Sequence, residues 1–139
     1  NYGRCWMCPP DTGDIETAMA QVRRYPWGLL YQTIGAIEDS FDIEGMTARA
    51  RDHAQISQRV QHAVGPLLQK PFLHLSCGGC RLCETCARRD GAPCRHPGQA
   101  LPSLEGCGVD VYGTAKDTSL KYVNGQNTVT FFGMVLWEA

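Results

Sequence analysis

The sequence carries no excess of charge of either sign. Thirteen Lys and Arg stand against 14 Asp and Glu, for a formal net charge of -1. Such a balance gives no electrostatic reason to bind nucleic acid or an anionic membrane. Long apolar runs are also missing. The longest, Phe131 to Trp137, is broken by Gly133 and falls far short of the ~20 residues that span a bilayer. No signal-peptide pattern, internal repeat or low-complexity tract is present. Several enzyme signatures are absent too: G-x-S-x-G, the P-loop, a strand-borne G-x-G-x-x-G, H-E-x-x-H and the radical-type C-x3-C-x2-C. Their absence weakens the case for an independent enzyme. The chain begins at Asn1 rather than Met, so its native start, with any targeting segment there, is expected to be missing.

What is present is an ordinary globular composition, 43% hydrophobic and 19% charged over 139 residues. One domain with its own core is the simplest organisation, spanning residues 1–139. Against this background stands a cysteine ladder. Cys77, Cys80, Cys83 and Cys86 repeat every third residue, followed by Cys94 and Cys107. Six of the eight cysteines thus fall in one 31-residue stretch.

Local signals predict the frame around that ladder. Arg4 to Pro10 is excluded from regular structure by Pro9 and Pro10. Ile15, Met19 and Val22 recur at helical spacing behind Asp14 as cap, with Pro26 as the stop. Leu29 to Ile34 reads as a strand. A long helix is expected from about Ile43 to Val64, striped by Met46, Ala50, Ile56 or Ser57, Val60 and Val64, and ended or kinked at Gly65-Pro66. Phe72 to Leu75 reads as a buried strand leading into a loop over 77–101. Helical turns are expected at Pro102 to Glu105 and at Asp110 to Lys116. Leu120 to Val123, the Asn124-Gly125 turn and Thr128 to Trp137 read as a C-terminal hairpin. The expected class is α+β: a small mixed or antiparallel sheet of about four strands, packed helices and a cysteine-rich metal-binding loop.

Thiolates at every third residue can point inward around a compact metal centre, and iron–sulfur proteins use C-x2-C-x2-C runs in this way. Cys80, Cys83 and Cys86 form such a triplet, with Cys94 as the closing ligand of a [4Fe–4S] cluster. Gly78 and Gly79 allow backbone to approach the sulfurs. The register has a rival in Cys77, Cys80 and Cys83, and Cys8 could be a long-range ligand in either case. The alternative metal is structural zinc, held by Cys80 and Cys83 with Cys94 and His96 or Cys107. Four cysteines in unbroken x2 spacing exceed what one zinc needs, which favours iron–sulfur. A disulfide scaffold has only an even cysteine count behind it.

Cys5 and Cys8 form a lone C-x2-C, whose bland reading is a pair of buried thiols. His53 and His62 read as surface, and His74 as a satisfied core histidine. Glu105 and Asp110 read as helix-start charges. The basic pairs Arg23-Arg24 and Arg88-Arg89 read as solvated surface.

Two blocks carry a family resemblance. Tyr2-Gly3-Arg4-Cys5-Trp6-Met7-Cys8-Pro9-Pro10 is similar to a Y-G-x-x-W-x-C-P-P motif. The second block runs from Gly79-Cys80-Arg81-Leu82-Cys83 through Cys86, Pro93 to Pro97, Pro102 to Glu105 and Gly108 to Val111, ending near Thr130 to Gly133. On these residues the chain resembles the predicted metal-binding proteins of domain of unknown function 2284, over nearly its whole length. The resemblance implies that Cys8, Cys80, Cys83, Cys86 and Cys94 are family-type metal cysteines, and that Cys5, Cys77 and Cys107 are additions. Family members also carry cysteines just before the Tyr-Gly block, so a second, N-terminal metal centre is expected to be incomplete here. The family has no assigned reaction.

The expected function is one-electron transfer to or within a redox partner protein, in a reducing cytoplasm, without nucleic acid or membrane. The other readings are a zinc-stabilised interaction module and an enzyme whose cluster has one open iron, with Cys94 unligated.

Overall fold

The structure, a computed structural model, describes residues 2–138. After an N-terminal segment of turns come α1 (Ile15–Arg23), β1 (Trp27–Ala36), α2 (Ile43–Leu68) and β2 (Phe72–Leu75). Two short 3-10 turns follow (Ala87–Asp90 and Glu105–Cys107), then α3 (Val111–Lys116) and β3 (Thr128–Trp137). Among the described residues no helix is long and apolar enough to cross a membrane.

Local chemistry starts each helix where the sequence predicts. Asp14, Asp42 and Asp110 each accept a hydrogen bond from a backbone N–H in the first turn, at Thr17, Gly45 and Gly113. The end of α2 differs from expectation. The helix runs through Gly65-Pro66 to Leu68, and Gln69, in a left-handed conformation, closes it by donating its N–H to the Gly65 carbonyl. Pro66 removes the N–H that would have bonded to the His62 carbonyl, and the helix continues past it for two residues without that bond.

Among the described residues the sheet is antiparallel with three strands in the order β1-β3-β2, not the expected four. β3 pairs with β1 along its full length, from Ala36 opposite Thr128 to Trp27 opposite Trp137, and with β2 from Met134 to Trp137. Residues 120–123 are not a strand and form no hairpin with β3. Midway along β3, the backbone of Phe132 is already engaged by side chains. Its carbonyl faces His53 Nε2 at 3.1 Å, and its N–H reaches the Cys77 sulfur. The 120–123 segment instead attaches through rings. Tyr122 stacks on Phe132 at 5.8 Å and meets Tyr112 edge-on at 5.3 Å.

The two faces of the sheet are unlike. One carries the apolar core: Leu75, Phe132, Met134 and Leu136 pack with Leu104, Cys107 and Ala115 beneath α1 and α3 residues. Met19 of α1 closes this side so tightly over Gly108 that a Cβ there would meet its side chain, and Gly108 has φ +73. The other face lies under α2, which presents Ala50, His53 and Ser57, at helical spacing, as its buried stripe. Two of those three are polar, and their partners Tyr31 and Thr33 come from β1, with His74 of β2 meeting the Tyr31 hydroxyl in turn.

Gly133 makes this arrangement possible. It stands opposite Tyr31 in the register, and any Cβ at 133 would collide with the Tyr31 ring. The ring therefore lies across β3 and brings its hydroxyl to His74 on the far strand. Gly133→Ala is expected to cost about 1–3 kcal/mol by overpacking, read as a lower urea midpoint. An unchanged midpoint would show that Tyr31 moves aside freely.

Candidate metal centre

From Cys77 to Leu101 the chain contains no strand and one 3-10 turn. Its shape depends on contacts with the N-terminal segment. Trp6 Nε1 donates to the Ala92 carbonyl at 2.9 Å. Arg88 lies over the Trp6 ring, 5.1 Å from its centre, and pairs with Asp11 at 2.8 Å. Within the loop, Arg95 donates to the Thr85 carbonyl at 2.8 Å. The clamp thus joins residues more than seventy-five positions apart in sequence.

It brings five cysteines around one partly enclosed pocket. Cys5, Cys80, Cys83, Cys86 and Cys94 all line it, with Trp6, Met7, Leu82, Ala87 and Ala100 as the apolar wall. None of the eight cysteines is in a disulfide. Among the described residues, no three His, Cys, Asp or Glu side chains converge closely enough to hold a single metal ion. The thiols border a shared space rather than a point.

Backbone donors are aimed at these sulfurs. His96 N–H lies 3.3 Å from Cys94 Sγ. Burial pushes the Cys86 thiol up, but hydrogen bonds from Arg88, Trp6 and Cys5 and the Arg95 charge outweigh it, leaving the thiol below its ordinary value. Burial raises Cys80, opposed by a backbone hydrogen bond from Leu82, and the neighbouring Cys5, Cys83 and Cys86 raise it further. Crowded thiolates repel one another, and a bound cation would relieve that repulsion.

The remaining candidates separate. Cys5, one of the additions implied by the resemblance, is buried and stands within hydrogen-bonding reach of both Cys8 and Cys86. Cys8 does not line the shared pocket; it borders a neighbouring one with Pro9 and Cys107. Burial and the adjacent Cys5 raise its thiol. Cys77 lies apart, its thiol pushed by burial to about 11 despite the hydrogen bond from Phe132. Cys107 belongs to the apolar core. His96 lines the shared pocket. Asp110 caps α3 and Glu105 opens a 3-10 turn, as helix-start charges should.

His53 is buried, contrary to the expectation of a surface residue. It is 2% exposed, because the buried stripe of α2 passes through it. Around it runs a polar network between helix and sheet. His74 Nδ1 meets Gln61 Oε1 at 2.9 Å, and His74 Nε2 meets the Tyr31 hydroxyl at 2.6 Å. The hydroxyl contacts Ser57 Oγ at 2.9 Å, and Ser57 contacts Ser76 Oγ at 3.2 Å. A cavity of about 30 Å³ joins this network to the cysteine loop, lined in part by His53, Ser57, Ser76, Cys77, Cys80 and Arg81. His74 is, as expected, a satisfied core histidine. The other members lacked a signal beyond the polar His53 and Ser57 falling on the inward stripe.

The family model of the predicted metal-binding proteins DUF2284 matches residues 1–137. Comparison with curated proteins and with solved structures finds no match.

Burial pushes both His53 and His74 down to about 4, from an ordinary value near 6.5. A depressed histidine favours the folded state fully above about pH 6.5, and that contribution is lost as pH falls toward 4. Phe132 O can only accept, so His53 carries its proton on Nε2 while Nδ1 accepts from Thr33 at 2.8 Å. Nitrogen-15 NMR at pH 6 should show both imidazoles neutral, His53 as the Nε2–H form. An imidazolium at either position would contradict this.

Proposed function

Since the chain belongs to the DUF2284 family of predicted metal-binding proteins, we propose that it holds a [4Fe–4S] cluster through Cys80, Cys83, Cys86 and Cys94. We further propose that it passes single electrons to or from a protein partner in a reducing cytoplasm. The observation that carries this reading is the shared pocket, bordered by sulfurs from two remote segments. Five thiols exceed the four of a structural zinc site. Their spread around a common space suits a polynuclear centre better than one ion. When bound, such a cluster supplies reversible one-electron chemistry.

The chain's own residues would set the conditions for that chemistry. Trp6, Met7 and Leu82 would give the centre an apolar wall on one side, and the His96 N–H at Cys94 would stabilise negative charge on sulfur. Cys94 is assigned as the fourth ligand because it follows the C-x2-C-x2-C triplet on the same loop. Cys5 is the rival, since it faces the same pocket from the N-terminal segment.

Iron and acid-labile sulfide analysis of anaerobically purified protein tests the reading. It predicts a brown protein with about four of each per chain, bleached by dithionite. A colourless protein with stoichiometric zinc would overturn it. Cys94→Ala should lose or convert the cluster, whereas Cys107→Ala should retain it. An unaltered spectrum in Cys94→Ala, together with loss in Cys5→Ala, would transfer the fourth ligation to Cys5.

A further inference from the structure

One side of the cysteine loop forms an open groove against α2. Thr47, Arg51, Ala54, Gln55, Gln58 and Arg59 line it from the helix; Cys80 to Glu84 line it from the loop. The helical positions fall at i, i+4, i+7, i+8, i+11 and i+12, a single stripe beside the one that faces the sheet. Arg51 and Arg59 are therefore about 12 Å apart along the helix axis, and Arg81 lines the groove from the loop, its guanidinium held to the Gly79 carbonyl at 3.1 Å.

All three arginines are exposed, and none has an ion-pair partner among the described residues. The only carboxylate lining the groove is Glu84. Bulk composition does not account for this patch, because the whole chain carries a net charge of -1. Cys80 and Cys83 line both the groove and the shared pocket. The positive surface thus lies where two of the proposed ligand sulfurs approach the exterior.

We infer that this groove is the docking surface for the acidic face of a protein electron carrier. The inference rests on the electron-transfer reading above. Charge complementarity would seat such a carrier against Cys80 and Cys83, the short route to the centre, and would speed encounter. In the exchange one electron would pass from the reduced carrier, which is oxidised, to the centre held by the cysteines, which is reduced. No bond forms or breaks.

The test uses the metal-loaded full chain and an acidic flavodoxin as the carrier, with Arg51→Glu/Arg59→Glu as the variant. Arg23→Glu/Arg24→Glu, on and just after α1, is the control. At low salt the groove variant should reduce at least about tenfold more slowly with flavodoxin, and the salt dependence of the rate should flatten. Its metal content and its dithionite-reduced spectrum should match those of the parent. An undiminished flavodoxin rate, or an equal loss in the control, would overturn the inference. Binding of flavodoxin, measured by titration calorimetry, separates the two readings. A zinc-loaded chain that binds flavodoxin through these arginines would keep the surface and overturn the electron transfer. Retention of a short DNA duplex without flavodoxin binding would overturn the docking in favour of nucleic acid.

Discussion

The hold of the N-terminal segment on the cysteine loop is the constraint from which the candidate centre follows. Arg88 lies over Trp6 while pairing with Asp11, and Trp6 hydrogen-bonds to Ala92. The loop has almost no regular structure of its own, so its geometry must come from elsewhere. An exposed ion pair alone contributes little. Here the guanidinium also covers an indole, and the indole N–H has a fixed acceptor, so several modest terms act on one placement. The consequence is chemical: Cys5 is carried to sulfurs more than seventy residues away.

The sheet performs a complementary task. Its apolar face carries the main hydrophobic cluster, Leu75, Phe132, Met134 and Leu136 packed on Leu104. Its other face carries a connected polar network, which low dielectric makes stable only if each group is satisfied. Tyr31 spans that face because Gly133 leaves room for its ring. His74 Nε2 and Ser57 Oγ both lie within hydrogen-bonding distance of its hydroxyl, and Ser76 continues the network to the strand end where the cysteine loop begins. The rigid sheet and the ladder therefore meet at Ser76 and Cys77.

Much of this was legible in the sequence. Asp14, Asp42 and Asp110 precede helices and cap them, and hydrophobic runs mark β1, β2 and β3. The thiol repeat marks the loop, and four of the cysteines it singles out share one pocket. The failures have physical causes. Residues 120–123 are apolar and aromatic enough for a strand, but strand formation also needs a free partner edge, which no local pattern reports. His53 reads as surface because polarity is a one-residue property, whereas burial depends on Thr33 and Phe132 from other strands. Cys5 and Cys8 look equivalent in C-x2-C. Only the turn that follows Cys5 decides which thiol faces the ladder. The basic groove is equally hidden, because Arg51, Arg59 and Arg81 meet only once α2 lies beside the loop.

The proposed centre requires that particular sulfurs hold a metal together. Differential alkylation of the anaerobic, metal-loaded protein, read by mass spectrometry before and after stripping the metal, tests it most directly. Cys80, Cys83, Cys86 and Cys94 should be protected while metal is bound and become labelled once it is removed. Cys8 should label in both states. Equal labelling of those four thiols with and without metal would contradict it.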